Sequence, residues 1–145
     1  MEDSTKFKYL EHTADAKFEA YGANMDEAFK NAALATFNII TKTENVKPEI
    51  EKEISVNAKR DTSLLYDFIE ELLFLLDTEG FILSDVKDLK ITKIDDGFDL
   101  KATITGDDYK NYPGEVHGNI KSITYNDMSI VEHGNGWTLT VVVDL

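Results

Sequence analysis

Two stretches of the chain carry apolar residues at helical spacing. The first opens at Asn24, which stands three residues before Glu27 in the arrangement of a capping box, with Asn in place of Ser or Thr. Ala28, Phe29, Ala32, Ala33, Thr36, Phe37 and Ile40 then fall on one helical face. The second starts after Asp61 or Thr62, either of which is a suitable cap. Leu64, Leu65, Phe68, Ile69, Leu72, Leu73 and Leu76 make its broader stripe, and Gly80 is placed to stop it. Each stripe reads as a face packed on a sheet.

Elsewhere the period is two. Phe7 to Leu10 and Phe18 to Tyr21 are strand-like runs, and Ile54, Val56 and Ala58 alternate with polar neighbours. Leu89 to Ile94, the turn Asp96-Gly97, and the alternating Phe98, Leu100, Ala102 and Ile104 form a hairpin. Ile130 leads to Gly134-Asn135-Gly136, another turn, after which Trp137, Leu139, Val141 and Val143 alternate to the last two residues. Clean alternation means one wet and one buried face. The expected fold is α+β: a two-layer domain, mainly antiparallel sheet, with two main helices packed on one face. The polar stretches Thr41–Glu53 and Asp107–Glu115 are the candidate mobile loops. No repeat or linker divides residues 1–145, so a single domain is expected.

Composition narrows the class. At 145 residues, 42% apolar and 30% charged, the chain can form an ordinary globular core. Fifteen Lys and Arg against twenty-eight Asp and Glu leave a net charge of −13. A field of that sign repels phosphate backbones and anionic membranes, so strong nucleic-acid binding and membrane attachment are not expected. The absence of cysteine excludes disulfides, thiolate metal sites and thiol nucleophiles. The polar start, MEDSTKFKYL, has no apolar segment of a signal peptide, and the longest apolar run, Leu72 to Leu76, is far short of a membrane span. A cytoplasmic location is the expectation.

Standard catalytic motifs, phosphate loops and paired-histidine metal spacings are missing. His12, His117 and His133 lie far apart and read as lone polar or turn residues. Two features stand out. The polar turn His12-Thr13-Ala14-Asp15 interrupts two strand-like runs, where it could hold a hard cation or be an Asx or Thr turn. Asp144 follows Val141-Val142-Val143 and stands next to the terminal carboxylate of Leu145; this is either an anionic pocket for Ca²⁺, Mg²⁺ or Mn²⁺ or a solvated terminus. The clusters Glu49/Glu51/Glu53, Glu70/Glu71 and Asp107/Asp108 read as solvated faces, Lys121 as an exposed strand lysine, and Trp137 as core.

Four ordered blocks carry a family resemblance. They are Glu11-His12-Thr13-Ala14-Asp15 with Ala20-Tyr21-Gly22, then Asp26-Glu27-Ala28-Phe29 with Asn31-Ala32-Ala33; Leu64 to Leu73 continuing through Asp77-Thr78-Glu79-Gly80-Phe81; Gly114-Glu115, His117 and Ile120 to Tyr125; and Trp137 to Leu145. Together they resemble archease, the small activator of tRNA-splicing ligases. The resemblance implies a non-enzymatic protein that assists an RtcB-type RNA ligase in tRNA processing. Such a protein promotes guanylylation of the ligase, restores multiple turnover, and can broaden the nucleotide that the ligase accepts. It further implies a metal site, calcium among the candidates, on Asp15, Asp144 and Leu145, the last through a backbone or terminal oxygen. His12, Asp61 and Lys121 match family positions and are candidates for supporting that site. One departure is Asn126, where the family commonly has histidine.

The net charge suits docking against a basic, RNA-binding cleft, with the carboxylates positioning a divalent ion or nucleotide phosphates. Two other classes compete. A metal-dependent phosphohydrolase would need a base near the carboxylates, and His12 is the one on offer. A chaperone-like binding module would need the helical stripes partly exposed.

Overall fold

The computed structural model describes residues 5–10 and 15–145. Along the chain come β1 (Phe7–Leu10), β2 (Asp15–Gly22), α1 (Met25–Asn38), β3 (Ile50–Ala58), α2 (Asp61–Glu79), β4 (Phe81–Ile94), β5 (Gly97–Asp108), β6 (Ser122–His133) and β7 (Gly136–Asp144). The fold is α+β with antiparallel strands and two main helices, as the periodicities indicate. The strands divide between two sheets, ordered β1-β2-β7-β6 and β3-β5-β4.

Both helices join the sheets. α1 packs on β2 and β7 of the first sheet and on β4 of the second, while α2 packs on β6 of the first and on β3, β4 and β5 of the second. The full first stripe, from Ala28 to Ile40, is buried. So are Leu34 and Ala35, which lie off it, because α1 has neighbours from both sheets. In α2 the stripe is buried from Leu64 to Leu73, and Leu76 is partly covered.

The helix ends differ in detail from the sequence expectation. Asn24 caps α1, its side chain accepting from the Glu27 N–H at 2.8 Å. The Glu27 carboxylate returns to the Ala23 N–H at 2.6 Å and not to Asn24, so the box is displaced by one residue. Neither Asp61 nor Thr62 caps α2. The N-cap is Arg60, whose backbone is extended and whose side chain makes no capping bond. Asp61 is the first helical residue, where its charge favours the helix N-terminus, and its carboxylate accepts from the Thr62 N–H at 2.7 Å. Gly80 ends α2 in the left-handed region at φ 70°. Gly22, at the end of β2, lies so close to the first turn of α1 that a Cβ there would stand 2.3 Å from the Ala28 nitrogen.

The two polar stretches are anchored. Thr41–Glu53 contains a 3₁₀ turn at Thr43–Asn45 and the start of β3. Asp107–Glu115 contains a second at Tyr109–Asn111. Tyr112 ties them together: its hydroxyl donates to Asp107 Oδ2 and accepts from the Lys47 N–H, both at 2.8 Å. Among the described residues no helix is long and apolar enough to cross a membrane.

Candidate functional site

The central strands of the four-stranded sheet set the geometry. β2 and β7 run antiparallel with Asp15 opposite Asp144, and β6 continues the same row with Ser122 opposite Asp144. Residues directly opposite on neighbouring strands share a face, their Cβ atoms roughly 4.5–5.5 Å apart. The fold thus brings the two isolated acidic oddities of the sequence, one from near each end of the chain, onto one sheet end. Ser122 Oγ lies 3.4 Å from Asp144 Oδ2, and the Lys121 N–H donates to the Asp144 carbonyl at 2.8 Å, which fixes where β6 begins. Asp144 and Leu145 are exposed, so the row opens to solvent.

Like charges opposed across a ladder repel. Carboxylate, hydroxyl and carbonyl oxygens together are hard donors, the chemistry that Ca²⁺, Mg²⁺ and Mn²⁺ take. The donor types therefore fit such an ion. Among the described residues no group of three or more His, Cys, Asp or Glu side chains converges to hold one. A cation here would take its remaining ligands from backbone oxygen, the Ser122 hydroxyl or water.

The next row along the sheet is tied down. Lys17 shares the outward face with Asp15, and its ammonium lies 3.5 Å from Asp127 Oδ2. Asp127 sits in the irregular stretch of β6 between Thr124 and Ser129, at φ 57°. Asn126 is exposed in the same bulge and donates its N–H to Thr124 Oγ1 at 3.1 Å.

Of the supporting candidates, Lys121 lies just before β6 and not within it, exposed, and bonds Asp144 through its backbone. Asp61 is half-buried at the start of α2, occupied by its own helix terminus. His12 lies outside the described residues. Ser122 was not among the sequence candidates; a lone serine becomes visible only once β6 is registered against β7.

Two concavities flank this framework. One, of about 590 Å³, lies beside the carboxylate row between α2, β3 and the start of β6, and includes Lys121 and Ser122. The larger, of about 970 Å³, includes Tyr21, Gly22 and Trp137. It sits at the other end of β2, seven residues from Asp15, or roughly 24 Å at about 3.4 Å per residue. Its polar groups have structural duties. Asp26 accepts from the Ile91 N–H and Glu27 from the Ala23 N–H. His133 accepts the Asn135 N–H at Nδ1, and its Nε2 lies 2.9 Å from Thr138 Oγ1. Burial, and then the bond donated to Glu19, push the Tyr21 hydroxyl up to about 12.

Comparison with known proteins places nearly the whole chain in one family. The model of the archease protein family (MTH1598/TM1083) matches residues 7–145. The archease of Methanosarcina mazei is 39% identical over 142 residues, covering 97% of this chain and 96% of its own. That of Thermococcus kodakarensis is 38% identical, covering 97% and 99%. Among solved structures, the solution structure of Methanobacterium thermoautotrophicum protein 1598 superposes with a TM-score of 0.83 at 36% identity, covering 97% of this chain and 99% of that one. A Thermotoga maritima archease, described as a "possible chaperone", gives a TM-score of 0.61 at 22% identity, a likeness of fold alone. On the family match and these identities, the chain belongs to the archease family.

Proposed function

We propose that the protein is a non-enzymatic activator of an RtcB-type tRNA-splicing RNA ligase, promoting ligase guanylylation and multiple turnover and widening the nucleotides accepted. The observation that carries this reading is the pairing of Asp15 with Asp144 at one open end of the central strands. A pair of opposed carboxylates on a protein of net charge −13 suits approach to a basic, phosphate-handling cleft.

In this reading Asp15 and Asp144 hold a divalent cation, with a backbone or terminal oxygen of Leu145 adding to the set. Such an ion, when bound, neutralises phosphoryl charge. Ser122 orients the Asp144 carboxylate, and the Lys121 N–H holds the backbone beneath it. The paired strands keep the two carboxylates at fixed spacing, so presenting them to a partner requires no refolding of this chain.

The chaperone-like alternative needs apolar helical stripes in water, and both stripes are buried except for the partly covered Leu76. The phosphohydrolase alternative needs a base near the carboxylates, for which the sequence offers His12.

Multiple-turnover RNA ligation by the cognate ligase, with substoichiometric protein, tests the proposal. Wild type stimulates well beyond one turnover per ligase, whereas Asp15→Ala and Asp144→Ala, still folded by circular dichroism, lose the stimulation. Full stimulation by either variant refutes the carboxylate mechanism. Phosphoester hydrolysis by the isolated protein, abolished in Asp144→Ala, would instead favour the hydrolase.

A further inference from the structure

The smaller concavity has an unpartnered helix face as one wall. Asp67, Glu70, Glu71, Phe74 and Asp77 recur along α2 at intervals of three and four residues, which puts them on one side of the helix. Phe74 is 56% exposed although it sits inside the apolar run Leu72 to Leu76, because the run's other side faces the core. Val56, Leu73 and Ile123 add apolar lining beside it, interleaved with Ser55 and Asn57. Nearby, Tyr66 of α2 stacks on Tyr125 of β6 at 4.2 Å, and the Tyr125 ring is 51% exposed. Among the described residues no ion pair neutralises any of the four carboxylates, and Lys121 is the one cation lining the groove.

We propose that this groove docks a Lys/Arg-rich segment of a partner protein that also carries an apolar side chain, with Phe74 as the anchor and Asp67, Glu70, Glu71 and Asp77 as the rim. Charge selects the occupant. Nucleic acid and anionic membrane are repelled by the rim, and so is a second copy of a chain of charge −13. An exposed aromatic beside apolar lining asks for more than a simple cation, and interface anchors are commonly aromatic. Lys121 and Ser122 belong both to the groove and to the carboxylate row, so a segment seated here is delivered beside Asp144. The inference rests on the proposed ligase reading only for the identity of the protein that supplies the segment.

The experiment is amide chemical-shift mapping on the full ¹⁵N-labelled chain. The probes are a synthetic Lys/Leu amphipathic peptide and a second peptide with Ser in place of Leu. We expect saturable shifts confined to residues 55–57, 67–77 and 121–123, and about tenfold weaker binding of the serine peptide. Phe74→Ala, an exposed change to a better helix former, and the pair Glu70→Gln/Glu71→Gln should each weaken the Lys/Leu peptide by about tenfold. The charge-matched pair Glu44→Gln/Glu132→Gln, exposed and away from the groove, should leave it unchanged. Shifts scattered over the acidic surface, with equal response to both pairs, overturn the groove. Wild type that takes the peptide here but does not bind an RtcB-type ligase supports the groove and overturns the ligase reading. Ligase binding that ignores Phe74→Ala and the Glu70/Glu71 pair overturns the groove as the ligase's dock and leaves the ligase reading intact.

Discussion

Asp107 is the only charged residue among the described ones that is buried. Burial pushes its carboxyl up. The Asp108 N–H, the Tyr112 hydroxyl and the Asn111 amide, with Lys47 nearby, together outweigh burial and hold it below the ordinary carboxylate range. A group lowered in the folded state adds stability above its unfolded pKa, and that contribution is lost as pH falls through the folded value. Tyr112→Phe removes a donor to Asp107 and strands the Lys47 N–H, so it should cost about 1–3 kcal/mol at neutral pH. The cost should shrink in acid once Asp107 is protonated. Urea denaturation at the two pH values checks it, and a cost independent of pH rules out this role for Asp107. At this scale the sequence was readable for identity and not for pairing. Asp15 and Asp144 each stood out, but their partnership is a property of strand register, and Ser122 carried no signal of its own. Asp61 was misplaced by one position because the cap is set by the extended backbone of Arg60, which composition does not reveal.

Elements were the most legible level, because both helical stripes and the two hairpin turns are local patterns. Gly80 illustrates how a single residue ends one. Its φ of 70° costs glycine little and an L-residue more, and a Cβ there would meet the Tyr109 ring at 2.8 Å. Gly80→Ala should therefore lose about 1 kcal/mol in equilibrium unfolding, and Gly80→Asn less. Equal stability of the alanine variant would mean that the helix end relaxes. Long-range pairing lay beyond local patterns. The hairpin strand expected over Leu89–Ile94 begins at Phe81, with register shifts near Ser84 and Lys87 that break its alternation and hid its first half. Nor does alternation say which strands share a sheet.

For the molecule as a whole, the excess of negative charge makes a bound cation a source of stability as well as chemistry. Ca²⁺, Mg²⁺ or Mn²⁺ at a hundred times its Kd should raise the unfolding free energy of wild type by about 2.7 kcal/mol. Asp144→Ala should lose that increment, as read by the shift in Tm. A wild-type Tm that ignores all three ions would argue against the site. The pairing of β2 with β7 also has a consequence in time. During synthesis β2 emerges early and β7 last, with both helices and the whole of the second sheet made in between. Long-range strand pairing must wait for both partners. A nascent chain in which β7 has not yet been made therefore has no assembled carboxylate pair, however complete its helices and second sheet.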